Sequence, residues 1–219
     1  MLIDMHMHES TYSSDSFLKL DEMVYRAREL GLDGICITDH ESNEIREFAK
    51  AYSKQVNFPI FVGFEYLTDS GDIITFGVKN VPKEIKMPLN DYLDYVKSEG
   101  GISLAAHPYR KNFRGLEDKL KTAPLDGIEA FNGSTPMDLN QMAFNVAKDR
   151  KIHATGASDC HVYKKIGVYA THIPDGIENE EDLVLAFKNP SSNIYPVAFN
   201  NGKYINLTSD EALDFEYAI

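Results

Sequence analysis

Five of the seven histidines stand in short motifs that also carry, or face, acidic residues. The first motif is Asp4-Met5-His6-Met7-His8. On a strand, residues i and i+2 share a face, so His6 and His8 point the same way. Asp4 lies on that face too, placed to hold an imidazole from behind. Met5 and Met7 then face the other side and read as packing. The second motif, Thr38-Asp39-His40, is weaker, because adjacent strand residues face opposite ways. Asp39 there also reads as a helix cap. Glu65, in the apolar run around Gly63-Phe64-Glu65-Tyr66, is costly to bury unless paired or metal-bound. Solvent exposure is its plain alternative. His107 closes Ala105-Ala106-His107. In Ser158-Asp159-Cys160-His161 the acid and the imidazole share a face, and Cys160 points away as packing. Cys36, in mid-strand, reads as core. Imidazoles and carboxylates without thiolate suit Zn²⁺, Mn²⁺ or Fe²⁺. One ion needs three or four protein ligands, so these residues suffice for two or three ions sharing carboxylates.

The elements that must position them alternate between strand and helix. Strands are expected at 2–8, 34–40, 59–68 and 101–107, the last stopped by Pro108. The run 72–78 pairs with 59–68 through a turn at Ser70-Gly71. Further strands are expected at 125–131, 152–161 and 167–173, with an apolar run at 194–199. Helices are expected at about 20–30, with Asp21 near the start and Gly31 past the end, and at 44–55, 89–100, 137–148 and about 179–188. Repeated β-α units imply an α/β fold with a mainly parallel sheet covered by helices. Six or seven such units can close into a barrel. The suspect residues all fall at the C-terminal ends of strands, where α/β folds place their chemistry. No linker, repeat or composition break interrupts the chain, so a single domain over 1–219 is expected.

Hydrophobic residues make up 43% and charged residues 26%, which are ordinary globular values. The net charge is −12 and no Lys/Arg block stands out, so duplex nucleic acid is a poor partner. A small phosphorylated substrate stays compatible if metal ions supply positive charge locally. No apolar run approaches the roughly 20 residues that span a bilayer, so no membrane association is expected. The start, MLIDMHMHES, has neither a basic nor an apolar leader region, so no signal peptide is expected. Two cysteines make no disulfide framework, which fits a cytoplasmic setting.

The string from His6 to His40, HMHESTYSSDSFLKLDEMVYRARELGLDGICITDH, resembles the opening of the PHP (polymerase and histidinol phosphatase) family. The later G-x-E, A-H-P and S-D-x-H elements match in order, so the resemblance covers about residues 2–165. It implies a distorted (β/α)7 barrel with two or three divalent ions at its C-terminal mouth. It also implies phosphoester hydrolysis by metal-bound hydroxide. Carried over by position, it makes His6 and His8 ligands of one ion with Glu65 and Asp159. Glu65 would bridge to a second ion held also by His107. Asp15, His40 and His161 would hold a third and act in catalysis. Where some relatives carry a further histidine, this chain has IEAFNGS, with Glu129 and Asn132. Two ions are therefore as much expected as three. No motif carries over after about Lys165.

Among the remaining conspicuous residues, His153 and His172 read as structural. Arg110 follows His107 on a loop, where a guanidinium fork grips a phosphate bidentately. It is the expected substrate-binding residue. Lys164, Lys165, Tyr12 and Tyr109 are weaker candidates for the mouth. The expected function is metal-dependent hydrolysis of a small phosphorylated substrate of the nucleotide, sugar phosphate or histidinol phosphate type. Two other classes compete with it. One is an amidohydrolase-like barrel, which uses a bridging lysine where Glu65 stands. The other is a non-catalytic metal-binding regulatory domain.

Overall fold

The computed structural model describes residues 1–209, so the end of the expected 1–219 domain lies outside the described residues. Two mixed sheets make up the fold. One contains β1 (Leu2–Asp4), β2 (Gly34–Ile37), β3 (Ile60–Val62), β9 (Tyr169–His172), β10 (Tyr195–Asn200) and β11 (Lys203–Asn206), in the order β11-β10-β9-β1-β2-β3. The other runs β4-β5-β6-β7-β8, from β4 (Phe64–Thr68) and β5 (Gly71–Phe76) to β6 (Ile102–Ala105), β7 (Gly127–Asn132) and β8 (His153–Ala157). The helices are α1 (Leu20–Glu29), α2 (Arg46–Val56), α3 (Leu89–Ser98), α4 (Met137–Arg150) and α5 (Glu180–Lys188). None is long and apolar enough to cross a membrane.

Local sequence explains these elements. In α1, Leu20, Met23, Val24 and Ala27 are buried along one stripe, the spacing of a helix lying on a core. Glu22 reaches back to accept from the Lys19 amide at 3.1 Å and closes its first turn. Between the sheets, Met5, Cys36, Phe61, Ile74, Ile102 and Leu104 form a fully buried cluster. Burying a side chain such as Leu104 contributes about 1.5–3 kcal/mol. Met7 and Cys160 are both buried in a neighbouring cluster, as packing residues.

Two expectations need correction. The sheet is not mainly parallel: β1-β2-β3 and β6-β7-β8 are parallel, whereas β4-β5-β6 and β1-β9-β10-β11 are antiparallel. The tight turn before Gly71 permits only antiparallel return, and the helical connections through α3 and α5 also bring β6 and β10 back antiparallel, so a helix between two strands does not fix their direction. The single strand expected over 59–68 is broken at Gly63 into β3 and β4, which lie in different sheets. A Cβ at Gly63 would sit 2.4 Å from the Thr75 carbonyl oxygen, so only glycine lets the chain cross there.

Among the described residues, no continuous ladder closes the two sheets into a barrel. They meet instead through single parallel bridges, His40 with Glu65 and Met7 with Cys160. Both seams lie where the histidine motifs lie.

Candidate metal centre

The motif histidines and Asp159 converge because strands stop just before them, whereas Glu65 is the second residue of β4. β1 ends at Asp4 and β2 at Ile37, so the chain beyond each is free of strict alternation. That resolves the facing problem at Asp39-His40. Asp39 turns to accept from the Glu9 amide at 2.8 Å and the Ser13 hydroxyl at 3.0 Å. His40 turns to the centre, its Nδ1 2.8 Å from Glu65 Oε2. His107 and Asp159 take positive φ values of 27° and 48°, backbone strain of the kind that accompanies functional sites.

Glu65 is the hub, 1% exposed. Its Oε1 lies 2.8 Å from His107 Nε2, and its Oε2 lies 3.5 Å from both His6 Nε2 and His8 Nε2. Asp159 Oδ1 stands 3.6 Å from His6 Nε2 and 3.4 Å from His8 Nε2. Further out, Asp15 Oδ2 lies between His40 Nε2 at 3.2 Å and His161 Nε2 at 3.3 Å. All eight residues expected as ligands are thus brought together. They sort by depth: His6, His8, Glu65, His107 and Asp159 are buried, whereas Asp15, His40 and His161 are partly open to solvent.

The electrostatics follow from burying so many acids together. Burial works against ionisation of Glu65, but His6 and the bonds from His107 and His40 hold its carboxyl well below the usual range. Asp159 is likewise held low against burial, by His6 and His8. Burial opposes protonation of His6, yet Glu129, Asp159 and Glu65 raise its pKa well above the ordinary value. Burial lowers His8 to about 4, with the neighbouring His6 and His40 charges adding to the effect. Asp15 is pulled below its ordinary value by His40 and His161, against partial burial.

Several functional neighbours escaped sequence reasoning. Asp4 does not hold an imidazole. It is buried and accepts from the Ser158 amide at 2.9 Å and the Gly167 amide at 3.1 Å, pinning the loops after β8. Glu129 does that work instead, its Oε1 2.8 Å from His6 Nδ1. The Nδ1 proton then points at Glu129 and leaves Nε2 facing the centre. Glu129 Oε2 also accepts from the His107 amide at 2.6 Å and from Asn132 Nδ2 at 3.0 Å. Asp72, fully buried at the start of β5, places Oδ2 3.7 Å from His107 Nε2. Burial and the nearby Glu65 raise its pKa to about 7, against His107 and Arg114. No local pattern marks Asp72, since the sequence around it reads only as a hairpin.

Arg110 does reach the mouth, bonded to Asn132 Oδ1 at 2.9 Å and to Asp159 Oδ2. Lys165 is spent on the Gly133 carbonyl at 3.0 Å. Tyr12 is exposed on the loop after β1, whereas Tyr109 packs partly buried against a core cluster. His153 lies 3.1 Å from the Asn189 carbonyl, and His172 stacks on Tyr195 at 4.4 Å. Both are structural.

The donor set fits divalent cations. Four three-residue groups have ligand atoms within 4.8 Å of one another: His8-His40-His161, His6-His107-Asp159, His6-His8-Glu65 and Glu65-Asp72-His107. Asp72 Oδ1 is buried and lacks a hydrogen-bond donor. Such an atom costs about 1–3 kcal/mol if nothing else satisfies it. Nitrogen and carboxylate oxygen without thiolate is a set suited to zinc, manganese or iron.

Comparison with known proteins finds similarity in sequence and in fold. A family model described as PHP domain matches residues 4–86, and one described as PHP-associated matches residues 138–191. An uncharacterized protein of Methanocaldococcus jannaschii is 28% identical over 142 residues, covering 60% of this chain and 82% of its own length. A Thermotoga maritima protein named "Probable histidinol-phosphatase" is 35% identical over 57 residues, covering 26% of this chain and 24% of its own. A two-domain Bacteroides vulgatus protein, described as containing a predicted PHP-like metal-dependent phosphoesterase, superposes with a TM-score of 0.70 at 19% identity. That match covers 89% of this chain and 64% of the other. A Chromobacterium violaceum protein described as an amidohydrolase superposes with a TM-score of 0.65 at 17% identity, covering 84% and 96%. At these identities the two structures speak for the fold alone.

Proposed function

The chain belongs to the PHP family, and from that premise we propose that it is a metal-dependent phosphoesterase acting on a small phosphorylated molecule. The reading takes the fold as a single domain of the distorted (β/α)7 barrel type, working in the cytoplasm. One observation carries it. Residues from three separate loops, as far apart in sequence as His6 and His107, meet around the buried carboxylate of Glu65.

In this reading His6, His8, Glu65, His107 and Asp159 form the sealed inner part of the centre, with Asp72 beside His107. Asp15, His40 and His161 form its open side. Two or three divalent ions of zinc, manganese or iron would supply there the Lewis acidity that activates water and neutralises charge on the phosphoryl group. The protein's own contribution is placement. Glu129 fixes the His6 ring and the His107 backbone, and Asp39 fixes the loop carrying Ser13, whose hydroxyl lies 3.3 Å from His8 Nδ1. The inner carboxylates hold their charge without water. The outer three residues line the solvent-facing side, from which substrate would enter. Glu65 at the shared position, in place of a lysine, supports a phosphoesterase over an amidohydrolase.

Elemental analysis of the purified chain after supplementation with Mn²⁺, Zn²⁺ or Fe²⁺ tests this, together with hydrolysis of p-nitrophenyl phosphate and phosphorylated metabolites. Two or three ions per chain and metal-dependent phosphate release are expected. One ion or none under every condition would overturn the reading. Full occupancy without hydrolysis would leave a metal-binding domain and no enzyme.

A further inference from the structure

We propose that Arg110 and Arg114 form a two-armed clamp that selects the dianionic phosphate of a monoester over a diester. This rests on the phosphoesterase reading and names its substrate class. Among the described residues, these two guanidiniums are the lysine or arginine side chains that touch carboxylates of the centre. Arg110 Nη2 bonds Asp159 Oδ2 on one flank. Arg114 Nε bonds Asp72 Oδ2 on the other, with Nη2 3.7 Å from Glu65 Oε2 and 3.3 Å from His40 Nδ1. Both side chains stay partly open, at 22% and 31% exposure, whereas the acids they meet are at most 2% exposed. They therefore stand between the sealed ligands and incoming substrate.

The loop that carries them is tied in place. The Arg110 amide donates to the His107 carbonyl at 2.9 Å, and the Glu117 amide donates to the Pro108 carbonyl at 2.8 Å. The Asp72 amide donates to the Arg114 carbonyl at 2.8 Å, stitching the loop to β5. A Cβ at Gly115 would fall 2.6 Å from the Pro108 carbonyl oxygen, so the base of the loop closes too tightly for any side chain. At the tip Phe113 is fully exposed with a φ of 62°. Arg110 is pinned again by Asn132, whose Oδ1 also accepts from the Ser134 amide at 2.8 Å. Two forks held this way are preorganised for an anion and lose little freedom on binding it.

Charge decides between substrates. A monoester phosphate carries nearly two negative charges at neutral pH and three oxygens without substituents. A diester carries one charge and two such oxygens. Two guanidiniums flanking one centre match the first and are in excess for the second.

The test uses the full chain loaded with Mn²⁺, titrated with inorganic phosphate in a calorimeter. Hydrolysis of p-nitrophenyl phosphate is then compared with that of bis(p-nitrophenyl) phosphate. Arg110→Gln and Arg114→Gln are each expected to weaken phosphate binding roughly ten- to a hundredfold, the worth of a hydrogen bond to a charged group. Manganese content should be unchanged. The monoester preference of the parent should fall toward unity in the double variant. Arg→Lys variants, which keep the charge and lose the fork, should fall in between and serve if a glutamine variant does not fold. Phosphate binding equal to the parent in either glutamine variant would overturn the clamp. So would a parent that favours the diester. Loss of manganese from Arg114→Gln with phosphate affinity intact would make Arg114 a prop for Asp72 and also overturn it. A parent that binds phosphate and hydrolyses neither ester would sink the hydrolytic reading, while the binding data would still decide the clamp.

Discussion

Replacing Asp159 with asparagine removes one negative charge and sets an amide NH₂ either toward His6 and His8 or against the Arg110 and Asn132 donors. Its φ of 48° lies in the left-handed region, which asparagine tolerates better than most residues, so the substitution adds no backbone strain. The side chain is 2% exposed, and Oδ1 stands 3.6 and 3.4 Å from the inward nitrogens of His6 and His8. A cation shared by those atoms lies no farther from Oδ1 than they do. At about 3.5 Å and an effective dielectric near 20, each unit of its charge loses about 5 kcal/mol. Allowing for rearrangement, metal affinity should fall on the order of a thousandfold, with turnover falling alongside. Competition against a chelator of known strength measures the affinity, elemental analysis the stoichiometry, and thermal unfolding guards against a folding defect. An Asp159→Asn protein with parental metal content and parental turnover would refute the assignment of this residue and the electrostatic argument together.

Glu129→Gln sets an amide NH₂ against either the His6 ring N–H or the His107 amide, and metal affinity should drop roughly 10- to 100-fold in the same chelator competition. Gly63→Ala forces a methyl group onto the Thr75 carbonyl oxygen and the Phe76 ring. It should lower the unfolding midpoint, as overpacking does at about 1–3 kcal/mol or more, and loosen the seat of Glu65. Removing metal with a chelator should destabilise the chain by about 2.7 kcal/mol relative to protein kept at a hundred times the dissociation constant. A denaturant melt with and without Mn²⁺ reads this difference, and coincident curves would count against a structural role for the ions.

What the sequence disclosed about the centre was whatever local spacing encodes. His6 and His8 share a face because they are two apart, and His40, His107, Asp159 and His161 each follow the C-terminal end of a strand, whereas Glu65, expected at such an end, is the second residue of β4. The hairpin through Ser70-Gly71 was legible from its turn residues. Asp72, Glu129 and Arg114 were not, because their roles arise from contacts made across the sheets. Glu129 lies 123 residues from the imidazole it orients. Asp4 misled for a related reason. Sharing a strand face with His6 placed it near the ring, but burial made backbone amides of distant loops its better partners. The strand directions of β9, β10 and β11 depend on which sheet edge accepts each strand, a choice that periodicity does not record.

The two seams of the fold carry a consequence for the protein's life in the cell. His6, His8 and His40 follow strands of one sheet, whereas Glu65, His107, Asp159 and His161 lie on or follow strands of the other. Between the sheets the backbone supplies little more than the His40–Glu65 and Met7–Cys160 bridges. Ions gripped from both sides would act as rivets through the joint. A chain short of metal would part there first and offer its loops to proteases. Its abundance would then follow the metal supply, so that starvation removes the metal-free chain itself.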